Sequence, residues 1–160
     1  MRKGKRKLNQ AGMSLVELVV VILIIGILSA TAGVGISFYN RMNATSAAEK
    51  LASALERARL LTISADRSVK LVLDKVDTEY YAIVLENDVE TDRVKVGNTA
   101  LDIKVMNGAS SYDLTDTSEF TFSYNKSNGS FNSLYTSVVI EGNQTKTVYL
   151  VNATGRCYIK

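Results

Sequence analysis

The feature that most constrains this chain is an uncharged stretch from Leu18 to Asn40, whose first half reads LVVVILIIGIL. Folded as a helix, a stretch of this length covers a hydrocarbon core of roughly 30 Å. Basic residues precede it and favour the cytoplasmic side of a membrane: Arg2, Lys3, Lys5, Arg6 and Lys7. The sequence therefore predicts a single-pass transmembrane helix at about 18–37, with a cytoplasmic N-terminus and an outward C-terminal domain.

Charge and composition argue against several classes of function. The five basic residues at the N-terminus leave 14 of the 19 basic side chains against all 16 acidic ones in residues 13–160. This remainder lacks the positive excess that non-specific nucleic-acid binding needs. The chain has no histidine, the commonest general base and metal ligand, and no phosphate loop or nucleophile elbow. We therefore expect no enzyme activity, no metal and no cofactor.

The helical pattern continues beyond the uncharged stretch. From about 41 to 63, small or apolar residues recur every three or four positions, which predicts one amphipathic face. They are Ala44, Ala47, Ala48, Leu51, Ala54, Leu55, Ala58 and Leu61. The sequence therefore predicts one long helix within residues 13–66, running from about Ser14 to Ile63, whose second half is covered by the domain that follows.

Residues 67–160 alternate with a period of two, which predicts strands. Apolar side chains recur at Val69, Leu71 and Leu73, and FTFSY places Phe120 and Phe122 on one side. Asn128-Gly129 predicts a hairpin turn that leads to a strand near 135–140. The expected fold class is α+β, with the long N-terminal helix packed on a mainly antiparallel sheet.

Two kinds of processing fit the N-terminal region. A basic start, an apolar core and the ATA of Ala30 to Ala32 match an ordinary secretory signal, which would release a soluble β protein. Glu17 argues against that interpretation, because a carboxylate near the membrane costs a few kcal/mol and a plain signal core gains nothing from it. Without further information, Glu17 is also compatible with a charge that merely reaches the membrane interface.

The first 41 residues resemble a known class of leader. A basic segment, 1–12, ends in Gly12, and MSLVELVVVILIIGILSA follows with an acid at the fifth place after that glycine. This arrangement resembles the class III leader of type IV prepilins and type II secretion pseudopilins. More loosely, TVYLVNATGRCYI, at 147–159, resembles the closing strands of GspH/FimT-type minor pseudopilins.

The resemblance implies a sequence of events. Prepilin peptidase cuts between Gly12 and Met13 and methylates the new N-terminus at Met13, and the helix then leaves the inner or cytoplasmic membrane for an extracytoplasmic filament of other pilins or pseudopilins. Glycine offers no side chain to obstruct a protease that grips extended backbone. Glu17 would pair with the terminal ammonium in apolar surroundings, since buried charges tend to be paired. The expected function is thus a structural subunit of a type IV pilus or type II secretion pseudopilus.

Two departures limit what the resemblance implies, and the second bears on the alternative, a DNA-uptake (competence) or adhesion minor pilin whose outer domain binds a ligand. Pilins of this kind often have a proline in the membrane segment, whereas this chain has none, and Gly33 and Gly35 lie near the expected place. FimT-type proteins that take up DNA carry an arginine-bearing tail after a glycine, and here GRCYIK offers only Arg156 and Lys160. DNA is therefore a weakly supported partner.

Three smaller signals have simple structural interpretations. The acidic cluster of LENDVETDRV offers oxygens for calcium but lacks the spacing of an EF-hand, so it favours a solvated hairpin loop. Cys157, the only cysteine, is expected to be a small apolar strand residue rather than a reactive thiol. Gly26 with Ala30, and Ser29 with Gly33, are small-residue pairs that permit close helix contact.

Overall fold

The computed structural model of the protein describes residues 15–64 and 67–160, apart from the side chains of 28 and 30–43. One helix precedes nine strands. Their bounds are α1 Leu15–Ser64, β1 Val69–Val76, β2 Glu79–Glu86, β3 Val89–Asn98, β4 Asp102–Asn107, β5 Ser110–Asp113, β6 Phe120–Ser123, β7 Ser137–Glu141, β8 Thr145–Val151 and β9 Arg156–Ile159. The predicted α+β class, with a long N-terminal helix and antiparallel strands, is confirmed.

The chain divides into two compact units, Met1–Ile36 and Ser37–Lys160. In the first unit, Leu15 to Ile36 belong to α1. Across the residues that the structure describes, no helix carries an apolar stretch long enough to cross a membrane. The transmembrane helix was predicted at about 18–37, and the structure does not describe the side chains of 28 and 30–37 within this range.

The second unit contains two antiparallel sheets, where the sequence predicted one. The first sheet has the order β3-β2-β1-β6, and the second has the order β5-β4-β7-β8-β9. The chain passes from the first sheet to the second after β3, returns with β6, and leaves again before β7. The sequence does not indicate this division, because a period of two is compatible with either sheet and pairing partners are chosen by long-range contacts.

The core of the second unit lies against the apolar face of α1. The buried helix positions are spaced by three or four residues, as one face of a helix requires: Ala44, Ala47, Ala48, Leu51, Ala54, Leu55 and Ala58. Both sheets contribute inward side chains to the same cluster, among them Leu71 and Phe122 from the first and Val105 and Val138 from the second. Small residues on the helix bring its backbone close to the sheets, where larger strand side chains fill the space.

Long-range contacts tie α1 to the end of the chain. The Arg59 Nε donates a 2.9 Å hydrogen bond to the Thr154 carbonyl, and its Nη1 lies 3.0 Å from a Glu56 carboxylate oxygen. The turn of Thr154 and Gly155 also lies close to Gly129, since a Cβ added at Gly155 would be 1.7 Å from the Gly129 carbonyl oxygen. Glycine is therefore required at position 155, where φ is +64° as well.

The turn predicted at Asn128-Gly129 is present, but the strand predicted to follow it near 135–140 does not pair with the strand before it. The turn itself exists, with φ of +68° at Gly129 and a 2.7 Å hydrogen bond from its N–H to the Asn125 carbonyl. It closes only one bridge, between Tyr124 and Phe131, and the chain then crosses to the second sheet to form β7. The strand before the turn pairs with β1 instead, through Leu71 and Phe122 at its centre.

The acidic segment after β2 also differs from the prediction of a loop. The turn is confined to Asn87 and Asp88, both with positive φ, as a two-residue hairpin of the I′ kind requires. Glu90 and Asp92 lie beyond it, on β3, at the edge of the first sheet. Charged side chains are typical of an edge strand because they oppose pairing with another chain. In β3 they also obscure the alternation of apolar and polar residues by which a strand is recognised in the sequence.

Candidate functional site

The three residues predicted to act in processing and assembly lie at the start of the chain. Gly12 and Met13 fall outside the described residues. Glu17 lies in the first turn of α1, and its side chain is exposed. The structure therefore places one of the three, and the pairing of Glu17 with the terminal amine of Met13 stays a prediction.

The position of Glu17 has a local electrostatic consequence. The first turn of a helix has backbone N–H groups without intrahelical partners, and it carries a partial positive charge. A carboxylate there stabilises a helix by about 0.3 to 1 kcal/mol. Glu17 therefore favours the beginning of α1 whatever its part in assembly.

The turns of α1 that follow expose apolar side chains in every direction. Exposed fractions range from 41% at Val21 to 79% at Leu15. The exposed large apolar residues of this region are Leu15, Val16, Leu18, Val19, Val20, Val21, Ile22, Leu23, Ile24, Ile25 and Ile27. A helix that is apolar all round is normally buried, so this surface requires lipid or other apolar helices around it.

Small residues interrupt this surface at one place. A Cβ added at Gly26 would meet nothing within 4 Å, so this side of the helix is open. The nearby Ser29 hydroxyl donates a 2.7 Å hydrogen bond to the Ile25 carbonyl, which satisfies it within the helix. Together they allow a second helix to approach the backbone closely without leaving a polar group unpaired.

Comparison with known proteins identifies the same region. Residues 7–33 match the family model described as the prokaryotic N-terminal methylation motif. This motif is typical of type IV prepilins and pseudopilins. The resemblance seen in the leader sequence is thereby confirmed, for the leader and the first part of α1. No curated protein and no solved structure matches the chain.

The acidic cluster around the β2–β3 turn is occupied by the chain's own cations. Glu86 contacts Arg67 at 2.8 Å, and Asp88 contacts Lys70 at 2.7 Å. On β3, the remaining carboxylates are paired as well, Glu90 with Arg93 at 2.8 Å and Asp92 with Arg57. The arrangement fits ion pairs on a solvated hairpin, each worth at most about 1 kcal/mol at such exposure.

Cys157 lies half-buried on β9, against α1. Its Sγ is 3.6 Å from the Ala52 carbonyl oxygen, at a distance suited to a weak S–H donor. Burial, with a smaller contribution from Glu56, raises the pKa of the thiol to about 11. Because the thiolate is the nucleophilic form, Cys157 is a packing residue at neutral pH.

The second sheet brings together the two basic residues that the sequence singled out in the tail. Arg156, Tyr158 and Lys160 alternate along the last strand and therefore share one face. On that face the rings of Tyr149 and Tyr158 stack, with centroids 5.1 Å apart and planes at 15°. Sequence reasoning missed this stacked pair, because Tyr149 and Tyr158 become neighbours only through the β8–β9 register.

Proposed function

We propose that this chain is a structural subunit that prepilin peptidase cleaves between Gly12 and Met13 and methylates at Met13. The mature protein resides first in the inner or cytoplasmic membrane. It then assembles through α1 into an extracytoplasmic filament, which is a type IV pilus or a type II secretion pseudopilus. It performs no catalysis.

One observation carries the proposal. The apolar surface of α1 from Leu15 to Ile27 is exposed all round, and it lies inside the segment that matches the methylation motif. A surface of this kind is stable in lipid and is equally stable among equivalent helices of other subunits. The same residues therefore suit both a membrane anchor and the core of a helical filament.

The mass of the mature N-terminus tests the proposal. The full chain is expressed with a prepilin peptidase, and intact-mass analysis should give a protein that begins at methylated Met13. Gly12→Arg should keep the leader attached, whereas Gly4→Arg, a matched change inside the leader, should be processed normally. A product that begins at Gly33 would indicate ordinary secretion of a soluble β protein and would refute the proposal.

A second function, a DNA-uptake subunit, is favoured by the face that carries Arg156, Tyr158 and Lys160. Aromatic rings beside cations are the elements of single-stranded nucleic-acid binding. Anisotropy of a labelled oligonucleotide with the detergent-solubilised chain, at two salt concentrations, tests it. Binding that falls with salt and is lost in Arg156→Gln/Lys160→Gln, but not in Lys50→Gln, would support this function.

A further inference from the structure

The second unit contains an open groove between its two sheets, of about 440 Å³. One side is β6, and the other is formed by Tyr112 of β5 and the segment 132–135 that crosses to the second sheet. Leu134 is 76% exposed and Tyr112 46% exposed, so apolar surface faces the solvent here. No lining residue among those described is Asp, Glu, Lys or Arg.

The backbone of β6 is paired with β1 along its whole length, but on the opposite side a hydrogen bond is made only at its last residue, Ser123, among the described residues. In an antiparallel ladder, successive residues direct their N–H and C=O groups to opposite sides of the strand. Ser123 accepts a 2.9 Å hydrogen bond from the Asn132 N–H, which lies on the side away from β1. Thr121, two residues earlier, therefore also directs its N–H and C=O away from β1 and towards the groove.

The ladder on that side stops before it reaches Thr121. It begins at the bridge between Tyr124 and Phe131 and ends with the hydrogen bond of Asn132. Among the described residues, no strand pairs with Thr121 on the groove side. The Ser133 hydroxyl is buried at the point of divergence and has no hydrogen-bond partner among those residues. The groove therefore presents the Thr121 N–H and C=O to a partner, next to a buried hydroxyl.

The other sheet edges are protected and this one is not. Charged side chains on edge strands oppose the addition of a further strand. The other edge strands are β3, β5 and β9. β3 carries four charged side chains, β5 ends in Asp113, and β9 begins with Arg156 and is followed by Lys160. β6 reads Phe-Thr-Phe-Ser and carries none.

We propose that the groove along β6 binds an extended, uncharged peptide segment of a partner protein, which adds as a fifth strand to the first sheet. The Thr121 N–H and C=O hydrogen-bond the added strand, and alternate apolar side chains of the peptide contact Leu134 and Tyr112. Strand addition suits this site because main-chain hydrogen bonds supply affinity while flanking apolar surface selects side chains. This role is additional to filament assembly through α1.

A labelled peptide of alternating valine and threonine, with one terminal lysine for solubility, is the probe. We expect saturable binding to the detergent-solubilised full chain, with slower hydrogen exchange of the Thr121 amide. Thr121→Pro removes the donor at an edge position where proline is tolerated, so the far-UV circular dichroism should stay unchanged while affinity falls roughly tenfold or more. Ile159→Pro, with its N–H directed to the free edge of β9, is the matched control and should bind normally.

Leu134→Asp gives a second variant at an exposed position, and it should weaken binding by a similar factor without any change in fold. The proposal is overturned if the peptide does not bind, or if both groove variants bind as well as the original chain. Saturable binding of a neutral trisaccharide in place of the peptide would also overturn it.

Discussion

The Tyr124 hydroxyl donates a 2.7 Å hydrogen bond to the Leu55 carbonyl, and so joins the end of the first sheet to the C-terminal part of α1 across 69 residues. Both residues are buried. Burial of the phenol raises the pKa of Tyr124 well above its ordinary value. The neutral phenol is thus a structural element, and its ionisation opposes folding.

Tyr124→Phe should lower the free energy of unfolding by about 1 kcal/mol at neutral pH, because it removes one buried hydrogen bond. A tyrosine whose pKa is raised on folding contributes fully below its ordinary pKa near 10 and loses that contribution as pH rises through the raised value. Urea unfolding of the detergent-solubilised chain should therefore show stability falling above about pH 10, less steeply in Tyr124→Phe. Equal alkaline slopes in the two proteins would contradict this account.

Leu51→Ala should destabilise the second unit by about 2 to 5 kcal/mol, since it removes a fully buried side chain and leaves a cavity between α1 and the sheets. Leu60→Ala makes the same chemical change on the same helix, where the side chain is 54% exposed, and it should cost less than about 0.5 kcal/mol. Thermal unfolding followed by near-UV circular dichroism measures both. Similar losses for the two variants would mean that α1 does not pack through this face.

Gly155→Ala should be more harmful than Gly108→Ala, although both glycines have φ near +60°. The left-handed conformation costs an alanine roughly 1 to 2 kcal/mol at either position. At Gly108 nothing lies within 4 Å of the added Cβ, whereas at Gly155 that atom would overlap the Gly129 carbonyl. Because the two variants share the conformational cost, the difference between their urea midpoints measures the effect of the close approach at Gly155. Equal midpoints for Gly155→Ala and Gly108→Ala would refute this account.

Glu17→Val should be processed and reach the membrane normally but enter filaments about tenfold less, because its loss leaves the terminal amine of Met13 without a buried partner. Glu49→Val removes an exposed acid further along α1 and should assemble normally. Immunoblots of the sheared-filament fraction and of the membrane fraction measure how much of each variant is assembled and how much stays in the membrane. Normal assembly of Glu17→Val would remove the role assigned to this acid.

The helix and its faces could be predicted because local patterns determine them. The spacing of Ala44 to Leu55 follows the helical period, and the uncharged run before it favours a helix whichever way the N-terminal region is processed. The methylation motif was also readable, since its glycine, acid and apolar run are consecutive in the chain.

The division into two sheets could not be predicted, because it depends on which strands meet. Phe120 and Phe122 carry the same alternation whether β6 pairs with β1 or with a later strand. The groove was missed for the same reason, since Tyr112 and Leu134 are distant in sequence and become neighbours only when the chain crosses between sheets. The start of β3 could not be predicted, because the charged residues at this sheet edge interrupt the apolar alternation that indicates a strand.

The contacts of Thr154 and Cys157 with α1 join residues 95 and 105 positions apart. During synthesis, Arg59 and Ala52 emerge long before the residues that complete their surroundings. The part of α1 around Ala52 and Arg59 therefore stays incompletely covered on a nascent chain until β9 has been made. A chain interrupted before this strand would lack both contacts, so this part of α1 would be more accessible to solvent than in the complete fold.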